Sequence, residues 1–229
     1  MMKEQIVDKN RITLALALVV IGVALRVLLH NNLPGSPSVY MTLNGVTQPM
    51  FMLDLFFAVA IISLLSGLLL GGYFTFIVPI SVMIITDLII GNNWILLFTW
   101  SGFAILGIIG YLLKTRNNLT IERIPRILGV GVAGILLYDI WTNFGVWLQG
   151  FGYAHTFQGL ALCYTMALPF MFWHLLSTTI AISLVVIPIV YLKEHRISLP
   201  NVTMHSFEKK TAIAIPAILM ILAIISVLV

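Results

Sequence analysis

Seven apolar runs broken by short polar interruptions leave this chain little choice of environment. The hydrocarbon layer of a bilayer is about 30 Å thick, and crossing it takes about 20 helical residues. The runs fall at roughly 12–29, 51–70, 73–90, 94–113, 127–148, 170–192 and 211–229. With 60% hydrophobic and 9% charged residues, almost nothing remains for a soluble domain. The expected fold class is all-α: a polytopic membrane helix bundle of six core transmembrane helices and a C-terminal seventh. Residues 1–193 would form the six-helix membrane domain, 194–210 a cytoplasmic connector and 211–229 the additional helix.

The basic residues orient these spans. Lys3, Lys9 and Arg11 precede the first, Lys114, Arg116, Arg123 and Arg126 lie between the fourth and fifth, and Lys193, Arg196, Lys209 and Lys210 lie between the sixth and seventh. Loops 31–50, 91–93 and 149–156 carry none. The positive-inside rule then sets the N-terminus in the cytoplasm of a multi-pass cell-membrane protein and the C-terminus outside. On this reading the net charge of +4 reflects loop bias during insertion, and no nucleic-acid partner is expected. The basic start could pass for a signal peptide, but no small-residue cleavage site follows His30, so a retained first span is expected.

Pro169 is expected to divide the long region 157–192, since proline removes a backbone donor and clashes with the preceding turn. Residues 157–168 would then form a short helix or re-entrant piece, with a full span from Phe170 kinked near Pro188. Loop 31–50 is rich in turn residues and reads as an outer lid. Gly71-Gly72 would make the tight inner turn between spans two and three. The lone Cys163 excludes an internal disulfide.

Against this apolar background, Arg26, Asp54, Asp87 and Asp139 are the charged residues inside the spans. An ionisable group in hydrocarbon costs several kcal/mol unless paired or hydrated, so such residues mark candidate functional cavities. Arg26, Asp54 and Asp87 sit near outer span ends, and Asp139 lies deepest. On the helical face of Asp139, Asn143 follows at i+4 and Trp147 at i+8, making a polar-aromatic stripe. Two readings stay open. Arg26 pairs with Asp54 or Asp87 to hold helices together, or these groups line a pocket opening outward. Trp94, Trp100, Trp141, Trp147 and Trp173 all fall in outer halves of spans. Trp94 and Trp147 suit an interfacial belt, whereas Trp100, Trp141 and Trp173 are deep enough to stack on a planar or cationic ligand.

His174 has Thr178 one turn away, with Tyr164, Met166 and Met171 before it. Soft ligands and imidazole suit copper or cobalt, but the spacing matches no ligand motif, so no metal or cofactor is expected. Serine elbows, HExxH, phosphate loops and paired cysteines are all absent from the sequence, and catalysis has no local signature. Ser63, Gly67 and Gly71, then Gly107 and Gly110, then Gly129, Gly131, Ala133 and Gly134, are small residues that let helices approach closely, within the bundle or against another subunit.

The series Gly71-Gly-Tyr-Phe…Val78-Pro-Ile-Ser…Thr86-Asp-Leu-Ile-Ile-Gly91, then Trp141-Thr-Asn-Phe-Gly-Val-Trp147 and Leu160-Ala-Leu-Cys-Tyr…Ala167-Leu-Pro-Phe170, resembles a family of uncharacterised prokaryotic membrane proteins. That family is similar in turn to the substrate-binding S components of energy-coupling factor (ECF) transporters. The resemblance covers roughly residues 51–190. It implies a six-helix protein that takes a vitamin or metal ion from outside. A transmembrane T component and ATPase subunits would complete the importer. Two features depart from that pattern. Span one, Ala15-Leu-Ala-Leu-Val-Val-Ile-Gly-Val-Ala24, lacks the regular small-residue spacing of a T-component docking motif, and a seventh span is present.

The functional expectation is a non-enzymatic membrane subunit that binds a vitamin-like small molecule from the outer face, among membrane lipids. Arg26, Asp54, Asp87, Trp100, Asp139, Trp141, Asn143, Trp147 and His174 are its candidate ligand-binding residues. The excess of carboxylates favours a cationic or hydrogen-bond-donating ligand. The first alternative is a non-catalytic accessory or structural subunit of a larger membrane complex. A further one is a membrane enzyme using Asp87 or Asp139 with His174 as acid-base groups.

Overall fold

A computed structural model of the chain describes residues 2–32, 39–43, 46–50, 56–91, 95–116, 120–150, 152–195 and 206–228. Seven helices carry the architecture: α1 (Met2–Asn32), α2 (Phe56–Leu65), α3 (Phe74–Ile90), α4 (Leu96–Arg116), α5 (Ile124–Leu148), α6 (Phe157–His195) and α7 (Ser206–Leu228). Five of them are long and apolar enough to cross a membrane, and two shorter apolar helices, Phe57–Leu70 and Phe74–Ile90, complete the bundle. The all-helical membrane-type bundle expected from the sequence is what forms.

Part of the expected lid is regular. Strands β1 (Val39–Leu43) and β2 (Val46–Met50) pair antiparallel, Val39 opposite Met50 and Leu43 opposite Val46. The intervening sequence is Asn44-Gly45, the dipeptide that two-residue hairpin turns favour. Strand β2 lies against α6.

The hub is α2. Its residues from Ala58 to Leu65 are all buried, as a helix that is apolar all round must be. It touches α1, α3, α4 and α6. Beyond Leu65 the helix widens into a π-turn, Ser66–Leu70, closed by the Gly71 N–H donating to the Ser66 carbonyl at 3.0 Å. Here the glycines matter. A Cβ on Gly67 would lie 1.9 Å from the Gly107 carbonyl oxygen, and one on Gly110 would lie 2.1 Å from that of Leu64. The backbones of α2 and α4 therefore touch directly, and the small-residue series packs helices inside the bundle. The chain then reverses through Gly71 and Gly72, at φ 68° and 56°.

Cations close the end of the π-turn. Lys114 Nζ donates to the Leu69 and Leu70 carbonyls at 2.7 and 3.3 Å, satisfying acceptors that a helix C-terminus leaves over. Arg11 Nη2 reaches the Leu70 carbonyl at 3.5 Å, and its guanidinium lies over the Phe74 ring. Arg11 also meets Glu208 of α7 at 3.5 Å, with both residues buried. This basic end of the bundle so joins α1, α4, the π-turn and α7. Helix α7 packs along α4 and also touches α3 and α5. It begins at Ser206, earlier than expected, and most of the connector expected at 194–210 lies outside the described residues.

The division expected at Pro169 does not occur. Helix α6 runs unbroken for 39 residues through Pro169 and Pro188. At about 1.5 Å per residue it is nearly 60 Å long. A proline removes a single backbone bond, and membrane helices tolerate that where neighbouring groups compensate. Cys163 and Tyr164 meet Asn143 and Ile140 of α5, whereas His174 meets Asp139. Eleven residues of α6, about 16 Å, thus match four of α5, about 6 Å. The N-terminal arm of α6 therefore crosses α5 obliquely.

Candidate functional site

The intramembrane charges assemble toward the end of the bundle opposite the basic one, in two clusters bridged by α4. In the first, Asp87 Oδ1 accepts from Arg26 Nη1 at 2.5 Å and Oδ2 accepts from Trp100 Nε1 at 2.7 Å. Arg26 also donates to the Thr86 hydroxyl, which donates in turn to the Val82 carbonyl at 2.7 Å. Helix dipoles explain the arrangement. Asp87 stands in the last turn of α3, where carbonyl ends make a negative charge unfavourable, and Arg26 of α1 supplies the compensating cation. Pairing them relieves that cost, and the Trp100 N–H completes the carboxylate's shell.

In the second cluster, Asp139 Oδ1 lies 2.5 Å from His174 Nδ1. The aspartate is 1% exposed and the histidine side chain 16%, so what access the pair has is at the histidine. The Tyr138 ring stands edge-on to His174 and packs against Phe103 of α4. One turn along α6, the Thr178 hydroxyl is fully buried without a hydrogen-bond partner.

The bridge runs through Trp100 and Ser101. Trp141 Nε1 donates to Ser101 Oγ at 2.8 Å, and the Trp141 ring packs on Phe98 with centroids 4.9 Å apart. Adjacent α4 residues therefore hold Asp87 on one side and Trp141 on the other. Groups from five helices, α1, α3, α4, α5 and α6, supply these contacts, which together make up the polar layer, and α4 meets the second cluster through Phe103 packing on Tyr138.

The structure so brings Arg26, Asp87 and Trp100 together, pairs Asp139 with His174, and hangs Trp141 between the clusters. It separates the rest of the expected stripe. The Asn143 amide donates to the Asp139 backbone carbonyl at 2.8 Å, folded back on its own helix. Trp147 Nε1 donates to the Ala154 carbonyl at 3.0 Å, with its ring edge against His155, and so fastens the α5–α6 turn. In that turn, burial pushes the Tyr153 phenol above its ordinary value, and Cys163 adds in the same direction. Asp54 and Trp94 lie outside the described residues. Among the described residues no three His, Cys, Asp or Glu side chains gather as a metal centre would require.

Sequence reasoning missed Thr86, Ser101 and Tyr138. Thr86 and Ser101 each stand beside a residue already singled out, Asp87 and Trp100, and adjacency was the available signal. Tyr138 precedes Asp139, but its role comes from the azimuth of α6.

Fold and site define the class: a helical bundle of membrane type whose apolar helices carry part-buried pairs of polar side chains. The chain belongs to a family described as of unknown function (DUF6580), whose model matches residues 7–201. No curated protein and no solved structure matches it. The matched stretch contains both clusters and ends before α7.

Proposed function

We propose that the chain is the substrate-binding membrane subunit of an uptake system of the ECF S-component type, without catalytic activity of its own. The observation that carries this reading is the polar layer: an arginine, two aspartates, a histidine and two indoles held in hydrogen-bonded contacts by five apolar helices. Retaining so many polar groups in hydrocarbon is costly, and ligand pathways are the commonest reason for it. The basic loops favour a cytoplasmic N-terminus, which turns the layer toward the outer face and leaves the C-terminus outside. Hairpin β1–β2 follows the outer end of α1 in the chain and would then lie on that side, with β2 against α6. A vitamin-like ligand with a planar ring and cationic or donor groups would compete with Arg26 for Asp87 and with His174 for Asp139. Trp100 and Trp141 would supply ring faces. A T component and ATPase subunits would provide the energy.

A second reading, the accessory subunit of a larger complex, is favoured by one feature. Asp87 and Asp139 each have partners on neighbouring helices, as purely structural pairs would. Ligand-linked stability separates the two. A vitamin at a hundred times its dissociation constant adds about 2.7 kcal/mol. Small molecules extracted from the purified protein and identified by mass spectrometry would name the candidates for a thermal-shift series. A structural subunit gives no extract above background and no shift, and co-purifies with fixed partners instead.

A further inference from the structure

A concavity lies between α5 and α7, sharing Trp141 with the polar layer. We propose that it is a binding site for an acyl chain of a bilayer phospholipid. Its volume is about 390 Å³, within the ~300–1,000 Å³ common for ligand pockets. One face of α5 supplies Leu137, Ile140, Trp141 and Phe144, the oblique arm of α6 supplies Tyr164, and α7 supplies Met220. The floor is Ile105 of α4, which is buried.

Three observations select the occupant. First, every lining residue lies within a candidate membrane span, so in a spanning bundle the mouth opens into hydrocarbon. Leu137 and Ile140, 46% and 49% exposed, form that mouth. Second, the polar atoms of the lining side chains are already engaged. The Tyr164 hydroxyl donates to the Ile140 carbonyl at 2.8 Å, and the Trp141 N–H donates to Ser101. What remains is apolar surface, which favours a hydrocarbon chain and penalises any polar ligand by desolvation. Third, the site is preorganised. The Tyr164 hydrogen bond holds the α6 arm across α5 as a roof, and the Arg11–Glu208 contact anchors α7, which carries the Met220 wall. A shaped site loses less entropy on binding than a smooth helix face, and the unbranched Met220 adapts to an irregular chain.

This wall comes from the helix beyond the matched family stretch, so the site is a property of this chain with its seventh helix. It does not depend on the polar layer binding anything. The full chain in nanodiscs of phosphatidylcholine carrying a diazirine on one acyl chain provides the test. After illumination, labelled peptides should concentrate at 137–144 and 220, above the freely exposed α1 face around Leu16 and Val20. Ile140→Trp and, independently, Met220→Trp should each fill the groove and cut labelling of the opposite wall about tenfold, equivalent to ~1.4 kcal/mol. Leu184→Trp, on an exposed face of α6, should leave it unchanged. Wild-type labelling spread evenly over α1 and α6 overturns the proposal, as does undiminished labelling in both groove variants. Cross-linking of two copies through Ile140→Cys also overturns it, because the occupant is then a second chain.

Discussion

Arg26→Met removes the cation from the Arg26–Asp87 pair while keeping most of the side chain's apolar length. Breaking a buried pair by removing one partner costs ~3–5 kcal/mol, because the remaining charge is left buried. Two features place this site at the lower end. The side chains retain 12% and 8% exposure, and the Trp100 N–H still serves Asp87 after the change. We expect a loss of about 3 kcal/mol on that basis. Asp87→Asn should cost a similar amount, about 3 kcal/mol, since Arg26 loses its counter-charge and the amide's single oxygen cannot accept from both Arg26 and Trp100. The double variant should recover about 2 kcal/mol of the summed single losses, within the ~0.5–3 kcal/mol seen for contacting pairs. Equilibrium unfolding in mixed micelles measures all three. Single losses below about 0.5 kcal/mol that add in the double variant would refute the reasoning, since surface-like pairs behave that way.

Gly107→Ala should destabilise by about 1–3 kcal/mol, because its Cβ would fall 2.1 Å from the Thr75 carbonyl oxygen. Gly129→Ala meets nothing within 4 Å and should be neutral or stabilising by up to about 1 kcal/mol; the same micelle assay ranks the two, and equal effects count against the backbone contact. Glu208→Ala should lower stability by about 1–3 kcal/mol, less than a tight buried pair, since the contact with Arg11 is long at 3.5 Å. A thermal midpoint unchanged from wild type would show that α7 is held by packing alone. Asp139→Asn should abolish ligand-linked thermal stabilisation while leaving the helical circular dichroism intact, and a full ligand response in that variant removes Asp139 from the binding site.

How much of this could be read from the chain varies by residue. Asp87 and Arg26 were both visible as charges in apolar runs, but Asp54 was an equal claimant for Arg26, and their choice needed the facing of α1 and α3. The stripe Asp139, Asn143 and Trp147 was correct as helical spacing. It failed as a chemical unit because Asn143 found an acceptor on its own backbone and Trp147 one in the following turn. Local hydrogen bonds of this kind compete with any longer-range role, and spacing is blind to them. Pro169 was a strong local signal for a break, outweighed by the long apolar helix on either side of it.

The amino-acid sequence alone determined the all-helical, membrane-type class, the placing of bases in the segments between apolar runs and the scarcity of charge within those runs. Those are linear quantities, set by apolar length against bilayer thickness and by loop charge. The tertiary structure alone decided that Arg26 takes Asp87, that His174 takes Asp139, that Trp100 and Ser101 hold Asp87 and Trp141, and that α7 completes an apolar groove. Partner choice depends on the rotation and register of each helix. For α2, α3 and α4 these are held by backbone contacts at Gly67, Gly107 and Gly110, between residues far apart along the chain.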